Sequence, residues 1–343
     1  MAETWSIAWS HGRATVHAGA GALGQTDFRL DDGRTVNPFH QAPWLGRAAP
    51  VDPPMMANLR GDWACIPFGH PYAPAEGLTG AWAAAATAPP DGPLAPSDAL
   101  QHGYGANVDW KLVSQSAEAL VIAVDYPDDS AVARLIRTVR PVPGEAALDV
   151  SVEIRARRPC GRPFGFHPNF ALRGRPGSFR IEPGSFAFGL THPTGERGVS
   201  KARPDARFAT LAEVPLAAGG TGRFDRLPFA EDTEEIVQLC GIDGSVRLID
   251  EAERVAWTLT FDPGRLPSLL LWMSNRGRKY DPWNGENLCL GVEPIASAFD
   301  LGTPAALAPN PIAAAGVPTA LRLDPAAPVT VGFRLSGRAL PRA

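Results

Sequence analysis

Glycine and proline, 35 of each, are spread along the whole of this 343-residue chain rather than gathered into one linker. Both interrupt helices, glycine through backbone freedom and proline through its locked φ and missing donor. The segments between them are short and alternate apolar with polar residues. In ALDVSVEIRARR (147–158), Leu148, Val150, Val152 and Ile154 fall on one face; Asp149, Ser151, Glu153 and Arg155 fall on the other. That is the pattern of a half-solvated antiparallel strand. ALVIAVDY (119–126), ARLIRTVRPV (133–142) and PVTVGFRLSG (328–337) read the same way, and SVRLIDEAERVAWTLTF (245–261) reads as a hairpin turning at 250–253. No long stretch keeps a helical period, and LAPSDALQHG (94–103) amounts to one or two turns at most. The expectation is an all-β chain, a large antiparallel β-sandwich or barrel filling residues 1–343 as one domain. The stretch at 71–96, rich in Ala, Pro and Gly, reads as a long surface excursion.

Charge and composition exclude several function classes. Hydrophobic residues make up 45% of the chain and charged ones 20%, the balance of a globular protein. A formal net charge of −4 supplies no basic field for nucleic acid or an acidic membrane. No run approaches the roughly 18 apolar residues of a membrane helix. The amino end, MAETWSIAWSHGRATV, lacks the basic start and apolar core of a secretory signal. Cys65, Cys160, Cys240 and Cys289 are far apart, with no CxxC pair, so neither a zinc knuckle nor a disulfide framework is expected. A reduced, cytoplasmic protein working on a small molecule fits these features.

One carboxylate stands out. In CLGVEPIASAF (289–299), Glu293 has apolar neighbours on both sides and a proline directly after it. Burying that charge costs several kcal/mol unless it is paired or protonated. Either Glu293 faces water from an edge strand, or the fold keeps its proton because the proton is useful. Two histidines have comparable settings: His102 in QHGYG, and His167 in PFGFHPNF. A carboxylate and two imidazoles on separate strands suit proton transfer to and from two oxygens of one substrate. Pro294 and Pro168 each remove a backbone donor, so both sites are expected at strand ends or bulges. Around this set lie Trp272, Asn275 and Arg276 at the end of an apolar strand, Trp283 in the loop that follows, and Arg60 and Asp62 upstream. Indole faces cover the C–H face of a pyranose while charged and amide groups take its hydroxyls.

The order His102-Gly103, then Phe166-His167-Pro168-Asn169-Phe170, then Gly291-Val292-Glu293-Pro294 resembles the aldose 1-epimerase (galactose mutarotase-like) family. The resemblance runs from about Arg60 to Phe299 and implies that family's large β-sandwich, the supersandwich. It also implies that Glu293 is the general base, His167 the general acid, and His102 a residue holding the sugar ring. The reaction it implies interconverts the anomers of an aldose by ring opening and reclosure, without metal or organic cofactor. The family's early Asn-Arg pair has only a loose equivalent in Asn58-Leu59-Arg60. Its hydroxyl-gripping aspartate corresponds to Asp232 or to Asp225. Arg276, Arg278 and Lys279 suit an anionic sugar such as a hexose phosphate, since clustered cations favour phosphate oxygens. A binding protein that keeps the cleft without turnover, and a hydrolase recruiting Asp232 or Glu234 as a second carboxylate, are the rival readings.

Overall fold

The alternating segments are strands. Leu120–Asp125, Val132–Pro141, Ala147–Ala156, Ser245–Asp250, Val255–Phe261 and Val329–Ala339 all lie in one nine-stranded sheet, together with Lys111–Gln115, Phe179–Pro183 and Arg226–Leu227. The hairpin closes with Asp250 opposite Val255. These contacts come from a computed structural model that describes residues 3–47, 51–73, 77–87, 94–196 and 198–341. A second sheet runs in the order Arg207–Phe208, Phe188–Thr191, Thr233–Cys240, Ser268–Asn275, Leu288–Ala296, Phe164–Phe166, Ala64–Cys65, with Asn169–Ala171 also on Leu288–Ala296. Every strand pairing in both sheets is antiparallel. A four-stranded sheet from Thr4 to Val36 packs beside them.

The two large sheets share one core. Leu148, Val150, Val152 and Ile154 from the first are buried with Leu269, Leu271, Met273, Leu290 and Val292 from the second. Each such side chain stabilises the fold by about 1.5–3 kcal/mol. The second sheet is covered on its other face as well. There Leu270, Trp272 and Ile295 join Trp44, Met56, Trp63 and Phe68 in a separate apolar cluster. A sheet buried on both faces needs near-continuous apolar strands, which is why SLLLWMSN and LCLGVEPIA lack clean alternation.

The 71–96 excursion is more structured than its composition suggested. Residues 74–76 and 88–93 lie outside the described residues, but Gly80–Thr87 is a helix, as its alanine run favours. Its Trp82 is buried, 5.7 Å from the Phe299 ring, and donates from Nε1 to Asp205 Oδ1 at 2.8 Å. That indole anchors the helix to the body of the fold. The 94–103 segment forms turns and no helix. All four cysteines are free, and among the described residues no helix is long and apolar enough to cross a membrane.

One ion pair ties the two large sheets through the core. Arg137 sits on the inward face of Val132–Pro141, between Leu135 and Val139, and is fully buried. Its Nη2 donates to Asp62 Oδ2, and the other carboxylate oxygen accepts from the backbone N–H of His167 at 3.0 Å. Burial pushes the Asp62 carboxyl up to about 6, against the pull of Arg137, so it stays charged at neutral pH. Removing one partner strands the other. Arg137→Met is expected to lose about 3–5 kcal/mol of stability in urea unfolding, and Arg137→Met with Asp62→Leu to recover much of that loss.

Candidate active site

Glu293 lies in the middle of Leu288–Ala296, not at a strand end and not on an edge. Its strand is paired with Ser268–Asn275 on one side, Glu293 standing opposite Leu270. On the other side the neighbour breaks. Phe164–Phe166 pairs as far as Ile295, Asn169–Ala171 resumes at Gly291, and His167-Pro168 occupies the gap. Val292 donates its N–H to the Pro168 carbonyl at 2.9 Å across that gap. Pro294 is tolerated in a central strand because its missing donor falls where the neighbour is interrupted. The break also turns His167 toward Glu293, with His167 Nε2 3.5 Å from Glu293 Oε1. Gly291, two residues back on the same face, has to lack a side chain, since a Cβ there would overlap the Glu293 carboxylate.

His167 is held on several sides. Its ring stacks on Trp63 at 4.4 Å and meets Trp272 edge-on at 5.7 Å and His102 edge-on at 5.1 Å. His102 adopts φ 57°, and Gly103 after it φ 79°; a Cβ at Gly103 would overlap the Ile66 carbonyl. Glycine after His102 is therefore a backbone requirement. Gly69 donates its N–H to His102 Nδ1 at 3.4 Å, which puts the ring hydrogen of His102 on Nε2.

All three groups are almost completely out of water, and their ionisation follows. Burial raises the Glu293 carboxyl well above the usual carboxylate range, and the charges of Asp300 and Asp62 add to this. Burial lowers His167 to about 3 and His102 well below its ordinary value. Burial thus favours the uncharged form of both facing groups, the carboxylic acid of Glu293 and the neutral imidazole of His167.

These groups line a cavity of about 420 Å³. Leu270, Trp272 and Ile236 come from the neighbouring strands, and Trp283 from the following loop. The indoles are fixed. Trp272 donates from Nε1 to Glu234 Oε1 at 2.6 Å, and Trp283 stands 5.9 Å from Trp272 and 4.7 Å from Trp44, both edge-on. Arg278 lies over Trp283 at 4.6 Å and donates from Nε to Glu196 Oε2 at 3.0 Å. Burial works against its charge, but Glu234 and Glu196 outweigh burial and raise its pKa.

The other expected contact residues lie elsewhere. Asp62 is buried against Arg137, as described, and reaches the site only through the His167 backbone. The half-buried Arg60 guanidinium is 3.2 Å from His17 Nδ1 and does not line the cavity. Asn275 is buried and holds the backbone of Phe229 and Glu231. Arg276 is exposed at φ 61° just past the strand end. Asp232 makes a surface pair with Lys279 at 2.5 Å. Trp272 and Asn275 are three apart on a strand, so the pleat sends them to opposite faces.

The sequence reading missed Asp300. Its carboxylate lines the cavity, accepts from His192 Nε2 at 3.0 Å and lies 3.8 Å from His70 Nε2. His192 Nδ1 accepts backbone N–H groups from Thr194 and Gly195, which leaves its Nε2–H for Asp300. Burial opposes the Asp300 charge, yet that hydrogen bond and the nearby imidazoles hold it well below the usual carboxylate range. Among the described residues no group of three or more His, Cys, Asp or Glu is arranged to hold a metal ion.

No protein-family profile and no curated protein matches the sequence. Solved structures do match its fold. An Escherichia coli protein with a provisional assignment as an aldose 1-epimerase superposes with a TM-score of 0.66 at 14% identity, over 99% of this chain and 100% of that one. An aldose epimerase homologue from C. elegans gives 0.63 at 14% over 99% and 100%, and a galactose mutarotase-like protein from Lactobacillus casei gives 0.61 at 14% over 98% and 100%. The fold of this chain is that of the galactose mutarotase-like proteins.

Proposed function

We propose that the protein is a mutarotase, interconverting the α and β anomers of an aldose. The observation that carries this reading is the Glu293–His167 pair, both side chains buried and facing each other at 3.5 Å on one cavity, with burial favouring the uncharged form of each. Sugar hydroxyls entering the cavity hydrogen-bond the carboxylate and favour its charged form, so its proton passes to His167. Glu293 then takes the proton of the anomeric hydroxyl while His167 protonates the ring oxygen. The C1–O5 bond breaks, leaving an aldehyde and a free hydroxyl. Rotation about C1–C2 and the same transfers in reverse close the ring to the other anomer. His102 supplies its Nε2–H to a sugar oxygen, and Trp272 and Trp283 cover the apolar face of the ring. The reaction also proceeds unaided in water, so positioning and two tuned proton carriers suffice.

The charges around the cavity favour an uncharged sugar over a phosphorylated one. Arg278 is engaged by Glu196 and Glu234, Lys279 by Asp232, and Arg276 stands off the cavity. Asp52, Asp281 and Asp300 line it as well. Among the described residues that line the cavity, a phosphate would face carboxylates and no uncommitted arginine or lysine. A second reading, glycoside hydrolysis, draws on Glu293 and Asp300, two carboxyls on one cavity whose environments push their pKa values apart.

Polarimetry or NMR exchange on pure α-anomers is the direct test. Glu293→Gln and His167→Asn should each lower kcat by about 10²–10⁴-fold, the usual worth of a positioned acid or base. Retained sugar binding with no rate above the buffer blank would leave a sugar-binding protein instead. Release of nitrophenol from p-nitrophenyl glycosides would favour hydrolysis.

The pH profile follows from the pair. Activity needs one proton on Glu293 and His167 together. A second proton is added only well below the ordinary histidine range, and the last is lost only above the ordinary carboxylate range. His167 is therefore expected to give kcat/KM no break near the ordinary histidine value of about 6.5, and the upper break to belong to Glu293, above the ordinary carboxylate range. Gly291→Ala should displace the carboxylate and lower kcat while the far-ultraviolet spectrum stays that of a β protein.

A further inference from the structure

The catalytic cavity does not end at its own wall. A second hollow of about 730 Å³ opens beside it, and the two share His70, Glu196, Ile236, Arg278 and Asp300. The partition between them is thus the Arg278–Glu196 pair on one side and Asp300 on the other. One monosaccharide needs no more than the inner chamber, because pockets of about 300–1,000 Å³ hold ligands of drug size. The outer hollow is therefore space beyond what the proton-transfer chemistry uses.

Its walls suit a second sugar ring. Only four large apolar side chains are notably exposed among the described residues, and two of them stand on this cleft: Tyr280 on the inner chamber, 54% exposed, and Tyr72 on the outer, 51% exposed. An exposed ring with a polar tip covers a pyranose face and bonds a hydroxyl. Asp205 also lines the outer hollow. Its Oδ1 holds the Trp82 indole, and among the described residues Oδ2 has no partner and can accept a hydroxyl. The carboxylates there repel an anionic extension.

We propose that the outer hollow is a subsite for a second, uncharged sugar unit, and that the substrate is the reducing end of a disaccharide or longer oligosaccharide. This rests on the mutarotase reading for the chemistry, although the subsite can be tested without turnover. The reducing unit sits over Glu293 and His167 with its anomeric hydroxyl free. The next unit, linked through another hydroxyl, passes Arg278 and Asp300 into the outer hollow.

The experiment measures binding to Glu293→Gln by calorimetry, comparing glucose and galactose with maltose, cellobiose and lactose. At least one disaccharide should bind about tenfold more tightly than its own monosaccharide. Thr79 lines the outer hollow and not the inner chamber, is exposed, and makes no side-chain hydrogen bond among the described residues. Thr79→Trp should abolish the disaccharide advantage while the monosaccharide Kd stays within about twofold. Tyr72→Ala should weaken the disaccharide as well. Equal affinities for mono- and disaccharides, or an advantage that survives both substitutions, would overturn the subsite. Anomer exchange on the wild-type protein separates the two ideas: a disaccharide preference without exchange sinks the mutarotase reading and leaves the subsite, and exchange without preference does the reverse.

Discussion

The structure depends on a carboxyl group placed where water cannot reach it. Leu288–Ala296 is a central strand covered on both faces, and Glu293 is the one carboxylate on it. Among the described residues no arginine or lysine pairs with it. What faces it is an imidazole at 3.5 Å, itself stripped of water. Had a cation stood there, the pair would be a fixed ion pair with the carboxylate locked in its charged form. A neutral imidazole instead leaves the proton able to sit on either side, as the proposed acid–base chemistry would require. The burial that costs stability is the same burial that tunes both groups.

Holding that arrangement takes support from outside the strand. The interruption at His167-Pro168 is a local loss of sheet pairing, and Asp62 makes it good by accepting the His167 N–H. Asp62 is in turn held by Arg137 from the opposite sheet. The position of the His167 imidazole is thereby referred to the core of the sandwich rather than to a surface loop. Asp62 acts as a positioning residue, although it touches neither the cavity nor a ligand.

Much of this was legible in the sequence, and the exceptions have physical causes. The nine-stranded sheet declared itself because half of each strand faces water, so ALDVSVEIRA alternates. The second sheet, buried on both faces, does not alternate, and TEEIVQLC gave no strand signal at all. His102, His167 and Glu293 were recognisable because short, ordered motifs mark them. The sugar-contact set was read from adjacency in sequence, which a pleated strand contradicts: Trp272 faces the cavity, Asn275 faces away, and Arg276 is outside. Arg137 carried a signal that went unused, a cation at an apolar-face position in ARLIRTVRPV. Asp300 carried none. It reaches the cavity through the backbone reversal at Phe299, φ 50°, and meets His192 from more than a hundred residues away.

The wall opposite the proton carriers explains why such a site can be rigid without being closed. Glu234 accepts from the Trp272 indole and from Ser274, and it also faces Arg278. Arg278 lies on Trp283 and is bonded to Glu196, so two indoles, one guanidinium and two carboxylates fix one another. Burial raises the Glu234 carboxyl, with Arg278 and the indole pulling it back. The Trp272 indole and the Glu234 carboxylate complete their hydrogen bonding within the protein. Under the mutarotase reading proposed above, a sugar entering the cavity would meet aromatic faces already oriented by these contacts. Its binding energy would then go to holding the ring against Glu293 and His167, where a small misplacement would cost most.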